Sequence, residues 1–262
     1  MINLGDNERL DDLQRCGYRI IQNTRLFCFG IDAVLLSDYA NVLPGDKVLD
    51  MCSGNGVVPM LLKARYTQKA ESGVFSAAES LRSVDTHFTG LEILADNVDL
   101  ARRSIEYNKI EDSVDMVCGD VKEASALFGG ASFDVITCNP PYMNENGGLI
   151  NPSDNVAIAR HEILCSLEDI IREAGRLLKT NGRFYLIHRP HRLVDIMVYM
   201  RQYKIEPKRM RMVLPFAGKK PTMVLIEGVR GGKIQLNVEP PLITYDKPGE
   251  YTREVLDIYG RD

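Results

Sequence analysis

From Lys47 onward, short apolar runs alternate with segments of helical spacing, and this alternation restricts the fold more than any other feature. Lys47–Met51, 89–93, Val114–Cys118, Phe133–Cys138 and 183–188 read as strands. Between them lie helical segments: 57–65, with Pro59 in its first turn, Ala95–Asn108, and stretches near 122–128 and 166–179. Repeated strand–helix–strand units need right-handed crossovers, which predicts an α/β fold with a parallel, doubly wound sheet. The alternation then breaks. Runs 211–214 and 223–228 are joined by PFAGKKPT, too short for a helix, so an antiparallel hairpin is expected at one edge of a mostly parallel seven-stranded sheet. Ahead of the alternation, an extended apolar segment leads to a short helix starting near Asp32, read as its N-cap. Residues 1–40 are therefore expected to pack on a core built from 41–262, one domain overall. Residues 66–88 lack clear periodicity and read as a long surface insertion.

Composition narrows the function. The 262-residue chain opens on the polar MINLGDNERLDDL rather than a basic and then apolar leader, and no stretch approaches the ~18 apolar residues of a membrane span, so a cytosolic, membrane-free protein is expected. Six cysteines show no C-x-x-C pairing, which points to reduced core residues and no metal site. His188 and His191 have H-x-x-H spacing without further ligands and are read as surface or packing residues. Net charge is −4, yet residues 172–233 carry fifteen Lys or Arg against four acids. Such asymmetry suits a polyanion-facing half, or else solvated faces whose charges point in many directions.

The chemistry gathers where strands end, because open parallel sheets bind ligands beyond their carboxyl edge. Asp50-Met-Cys-Ser-Gly-Asn-Gly56 follows the first strand of the alternation and opens a helix, with Gly54 and Gly56 allowing close backbone approach. Glu92 ends the second strand, where a carboxylate can accept both hydroxyls of a ribose, and Asp120 follows the third, where it can accept from an exocyclic amine. A dinucleotide or P-loop site fits poorly, since Gly54 starts G-N-G-V-V-P and no P-loop lysine follows. An acid at Asp50 would repel a pyrophosphate and suit a ligand carrying an ammonium and a sulfonium, which favours S-adenosylmethionine.

The fourth strand runs FDVITC into Asn139-Pro140-Pro141-Tyr142. Pro140 and Pro141 cannot donate to a sheet ladder, so the strand must stop, and their fixed φ stiffens the turn that holds the Asn139 amide and the Tyr142 ring. An amine on an aromatic ring is a weak nucleophile because its lone pair is delocalised. Hydrogen bonds from it to the Asn139 side-chain oxygen and the Pro140 carbonyl would drive it toward tetrahedral geometry, while Tyr142 stacks on the ring.

These motifs resemble class I S-adenosylmethionine-dependent methyltransferases, which have a Rossmann-like sheet, and Asn139-Pro140-Pro141-Tyr142 resembles the signature of those acting on planar amino nitrogens. GYRIIQNTRLFCFGIDAVLLSDYA, ARHE (159–162) and VEPPLITY extend the likeness to the bacterial tRNA(Val) adenine N6-methyltransferases, which modify the adenosine 3′ of the anticodon, from about residue 10 to about 245. The resemblance implies S-adenosylmethionine as cofactor and tRNA as partner. Asp50, Ser53, Gly54, Asn55 and Gly56 would hold its methionine part, Glu92 its ribose and Asp120 its adenine, with Cys52, Ile93, Val121 and Asn139 as further cofactor contacts. Asn139, Pro140 and Tyr142 would carry the transfer, with Pro141 and Tyr142 meeting the substrate base; the excess charge of 172–233 separately offers Lys219, Lys220, Arg209 and Arg211 as RNA contacts. Phe29, Gly30 and Asp32 would cover the cofactor or simply pack, and Arg160, His161 and Glu162 would order the substrate loop or start a helix. Cys52 departs from the family pattern by replacing the loop's first glycine, and the 66–88 insertion lengthens the path to Glu92. A protein-glutamine methyltransferase of release factors is the competing enzymatic reading, and a nucleic-acid-binding module with a dead cofactor site is the non-enzymatic one. A monomer is the default expectation.

Overall fold

In the computed structural model, which describes residues 3–26, 28–141 and 165–261, the alternating pattern becomes a single mixed sheet. Its strands are β3 (Lys47–Met51), β4 (His87–Glu92), β5 (Val114–Cys118), β6 (Phe133–Cys138), β7 (Leu178–His188), β8 (Ile205–Leu214) and β9 (Met223–Arg230). They lie in the order β8-β9-β7-β6-β3-β4-β5. All neighbours are parallel except β9, which runs antiparallel to both β7 and β8. Two short strands, β10 (Asn237–Val238) and β11 (Leu242–Ile243), cover β8 in parallel and widen the sheet beyond the seven strands legible in the sequence.

Strand alternation sends side chains to two cores. Val48 and Tyr185 join the one covered by α1 (Ile31–Tyr39), α2 (Val57–Glu71), α4 (Ala95–Asn108) and α8 (Arg253–Tyr259). Leu49, Phe184 and Leu186 join the other, covered by α5 (Ala124–Phe128), α6 (Leu167–Leu177) and α7 (Leu193–Gln202). Both faces are buried, which is why these strands read as apolar runs rather than alternating ones. Among the described residues no helix is long and apolar enough to cross a membrane.

Local differences from the sequence reading have physical causes. α2 continues to Glu71, so residues 66–71 are not loop, and Tyr66 is buried in the first core. A short α3 (Ala77–Arg82) follows, started by a capping box in which Ser76 and Glu79 satisfy each other's backbone N–H groups. The cap of α1 is Gly30 rather than Asp32, which is the second helical residue and accepts from the Ala33 N–H at 3.0 Å. An N-terminal hairpin of β1 (Glu8–Asp12) and β2 (Arg19–Asn23) packs on α4: Ile20 and Ile21 are fully buried, and the Ile21 N–H donates to Ser104 at 2.9 Å.

α6 meets the chain after α7 so closely that only glycine fits at 175. A Cβ there would lie 2.6 Å from the Tyr203 carbonyl oxygen, a backbone atom that cannot swing aside. Gly175→Val should therefore cost about 1–3 kcal/mol through overpacking. Urea denaturation checks this, and an unshifted midpoint would show that the helices are further apart.

Candidate active site

Strand order reverses between β3 and β6, so a crevice opens beyond their carboxyl ends. The β3–β6 register pairs Asp50 with Thr137 and Met51 with Cys138, which places Cys52 and Asn139 next on adjoining strands. Asp50 is 1% exposed and accepts from Thr137 Oγ1 at 2.6 Å. Burial pushes its carboxyl up to about 7, against the Thr137 hydrogen bond, and no cation contributes. An acid so buried without a positive partner is costly, and the site is complementary to a cationic ligand.

The loop beyond Asp50 is built on left-handed backbone at Cys52, Gly54 and Gly56 (φ 59°, 56° and 78°). At Gly56 a Cβ would meet Ala101 Cβ at 3.0 Å and Met116 Sδ at 3.3 Å, so glycine is needed on both counts. Gly54 faces open space, and its N–H donates to Glu92 Oε2 at 2.9 Å. Glu92, 4% exposed, also accepts from the Leu94 N–H at 2.9 Å. Two backbone donors thus fix this carboxylate at the end of β4, and the 66–88 segment does not displace it. The Asn55 side chain donates to the Ile21 carbonyl at 3.3 Å and ties the N-terminal hairpin to the loop. Phe29 packs on the first core, with its N–H on Gln22 Oε1 at 3.0 Å.

Cys52, Glu92, Ile93, Asp120, Val121 and Pro141 line one small cleft, joining the ends of β3, β4, β5 and β6. Asp120 caps the short turn at 121–123 through the Lys122 N–H at 2.9 Å and pairs with Lys122 Nζ at 3.4 Å. Cys52, Cys138 and Cys165 meet as neighbouring neutral thiols, and their mutual hydrogen bonding and burial hold Cys52 and Cys165 well above the ordinary thiol range. Cys52 thus occupies a left-handed position at a cost of about 1–2 kcal/mol relative to glycine.

Asn139 follows β6, and its Oδ1 is shielded from solvent with no hydrogen-bond donor among the described residues. Pro140 is buried behind it. Tyr142 and Arg160, His161 and Glu162 lie outside the described residues. Thr137 escaped the sequence reading, because a threonine in a buried strand reads as β-branched filler. His188 ends β7 two residues past Leu186, the partner of Cys138; burial lowers its imidazole to about 4, so it is neutral.

Acids from elsewhere in the chain neutralise part of the basic segment. Arg172, Lys179 and Arg183 pair with Asp169, Asp134 and Asp46. Arg209 and Arg211, expected to face RNA, are half-buried and bonded to acids of this chain. Arg209 bonds Glu227 at 2.7 Å, Glu239 at 3.2 Å and the Tyr39 carbonyl at 2.8 Å, and its guanidinium lies 4.0 Å from the Tyr39 ring centre. Arg211 pairs with Glu254 at 2.7 Å and donates to the Pro240 carbonyl at 2.9 Å. Lys219 and Lys220 behave differently: both are exposed, with no ion pair among the described residues. They sit in the β8–β9 turn. Because β8 is parallel to β7, that turn lies at the same carboxyl edge as Asn139, and Arg189 ties it to β7 by donating to the Thr222 carbonyl at 3.1 Å. A larger cleft between the last turns of α1 and α2, lined by Arg15, Asp38, Arg65 and Lys69, shares no residue with this site.

A family model described as a methyltransferase domain matches residues 43–206. A protein of Porphyromonas gingivalis named tRNA1(Val) (adenine(37)-N6)-methyltransferase is 28% identical over 204 residues, 76% of this chain and 72% of that one. One of the same name from Aeromonas hydrophila is 23% identical over 84% of this chain and 80% of its own. Among solved structures, one described as a predicted O-methyltransferase from Agrobacterium tumefaciens superposes with a TM-score of 0.63 at 20% identity, covering 87% of this chain and 95% of that one. Trm5 of Methanocaldococcus jannaschii in complex with adenosine gives 0.56 at 14% identity, over 88% and 57%.

Proposed function

We propose that this chain, which belongs to the methyltransferase domain family, transfers a methyl group from S-adenosylmethionine to the exocyclic N6 of an adenosine in tRNA. The observation that carries this reading is the unsatisfied Asn139 Oδ1 at the switch point of the sheet, an acceptor waiting for an N–H donor. The relatives' names supply the finer assignment, adenine 37 of tRNA1(Val), as a proposal for this chain.

S-adenosylmethionine, when bound, supplies an electrophilic methyl on a sulfonium. Asp50 holds the ligand's ammonium, the backbone at Gly54 and Gly56 leaves room for its methionine part, and Glu92 and Asp120 receive hydroxyls and amine of its nucleoside. Asn139 Oδ1 and the Pro140 carbonyl accept from the substrate amine and localise its lone pair. No strong base is needed, and what remains is alignment. Incubating the protein with labelled S-adenosylmethionine and bulk tRNA, then digesting to nucleosides, tests the reading. Label in N6-methyladenosine is expected; no label in tRNA, with label in glutamine of a release factor offered in a parallel reaction, would overturn it.

The state of Asp50 gives a pH signature. Its folded value of about 7 exceeds the ordinary 3.8, so its contribution to the stability of the ligand-free protein is full below pH 3.8 and lost as pH rises through 7. The ammonium pairs with the ionised form. Affinity should therefore rise with pH toward 7, and binding near pH 6 should release a proton. Calorimetry in buffers of different ionisation heat measures that release; none at pH 6 would mean that Asp50 does not meet the ammonium.

Lys219 and Lys220 are proposed to neutralise RNA phosphates at the rim. Each phosphate contact contributes roughly −0.7 to the log–log salt slope on single strands. Removing both charges should weaken tRNA binding and flatten that slope by about 1.4, leaving cofactor binding alone. An unchanged slope would place the RNA elsewhere.

A further inference from the structure

Beside the Lys219–Lys220 turn the chain builds a row of four aromatic rings. Phe216, in the same turn, lies 5.7 Å from Tyr245 with the two rings tilted by 37°, Tyr245 stacks on Tyr251 at 5.1 Å and 15°, and Tyr251 stacks on Tyr259 at 5.4 Å and 22°. The Arg261 guanidinium closes the far end, 5.3 Å from the Tyr259 ring centre. Tyr251 and Tyr259 are rooted against the first core. Phe216 is different: it is half-buried, packs on neither core, and has no second ring partner among the described residues. The stack therefore has one closed end in the protein and one open end at the rim.

That open end is where the candidate substrate arrives. β11 runs parallel to β8, so Tyr245 leaves the sheet at the carboxyl edge beside Pro215, with its N–H on the Pro215 carbonyl at 2.9 Å. The Lys219 N–H donates to the Phe216 carbonyl at 3.1 Å, so the ring and the two exposed lysines belong to one tight turn. A half-buried ring held by one ring neighbour, in a turn with two exposed lysines that have no ion pair among the described residues, matches an unpaired nucleobase between two phosphates. A protein partner would gain little from a single ring beside two lysines. A duplex would offer phosphates but no free base face.

We propose that Phe216 extends its aromatic stack by one unpaired base of the RNA, a neighbour in the loop of the target adenosine, while Lys219 and Lys220 meet the flanking phosphates. This rests on the tRNA-adenine reading above and adds how the loop is held open. Phe216 is a specificity residue for single-stranded context, since it touches neither the methyl donor nor the reacting amine. The three rings beneath it hold it in place before the RNA binds.

The chain contains no tryptophan, so Phe216→Trp creates a single-tryptophan reporter at the proposed contact. Its emission should be quenched by an anticodon stem-loop and not by a fully paired RNA of equal length. Phe216→Ala should raise KM for tRNA by about tenfold or more, with kcat and S-adenosylmethionine affinity within a few fold, and Phe216→Trp should restore KM. An emission that saturating stem-loop leaves unchanged overturns the proposal, as does a wild-type KM in a folded Phe216→Ala protein, and in both cases the functional reading stands if the wild type methylates tRNA. If the wild type transfers no methyl to tRNA, that reading fails and the stacking contact fails with it.

Discussion

Asn139→Ala should lower single-turnover methyl transfer by about 10²–10³-fold while the affinity for S-adenosylmethionine stays within a few fold, the scale seen when one preorganised polar contact to a reacting group is removed. The asymmetry follows from where Oδ1 lies. It is buried and receives no hydrogen bond among the described residues, which leaves it free to accept from the substrate amine. The same fact predicts the sign of the stability change. Alanine removes an unsatisfied buried acceptor, so the variant should melt no lower than the wild type, where loss of an ordinary buried hydrogen bond costs about 1–3 kcal/mol. Transfer kinetics and thermal melting together check it. Full activity would remove Asn139 from the chemistry, and a large drop in melting temperature would make it a structural residue.

Asp50→Asn should weaken S-adenosylmethionine binding by about thirtyfold or more, because truncating one partner of a buried charge pair costs about 2–5 kcal/mol. Asparagine keeps an acceptor for Thr137 Oγ1, now 2.6 Å from Asp50 Oδ1, so the strand-to-strand bond survives and the lost charge is what the measurement reads. The proton release near pH 6 should vanish in the same variant. Calorimetry measures both. Unchanged affinity would mean that the crevice binds its ligand without the ammonium contact.

The carboxyl-edge residues were legible because each combines a strand's end with a residue type that is out of place there. Asp50 and Glu92 are carboxylates after apolar runs, and Asn139 precedes two prolines; the fold brings the three strands side by side. Elements with weak apolar signal were not legible. β1 reads ERLDD, and the last turns of α2 read TQKAE, both polar enough to pass for loop. Asn55 could not be assigned from the loop motif, since its partner Ile21 lies 34 residues upstream in a hairpin the sequence did not announce. Charge counting failed at Arg209 and Arg211 for a related reason. A window of sequence counts charges that share a stretch of chain, whereas Glu239 and Glu254 reach these arginines from 30 and 43 residues away. The aromatic stack was hidden likewise, as Phe216, Tyr245, Tyr251 and Tyr259 fall on no common helical or strand period.

The most direct test of the account is the nucleoside composition of tRNA after incubation with the purified protein and S-adenosylmethionine, set beside the same reaction with Asn139→Ala. Mass spectrometry of the digest should show N6-methyladenosine with the wild type and background with the variant, and fragment mapping should place the methyl in an unpaired loop. Methylated nucleosides of another kind, or equal N6-methyladenosine from both proteins, would contradict it.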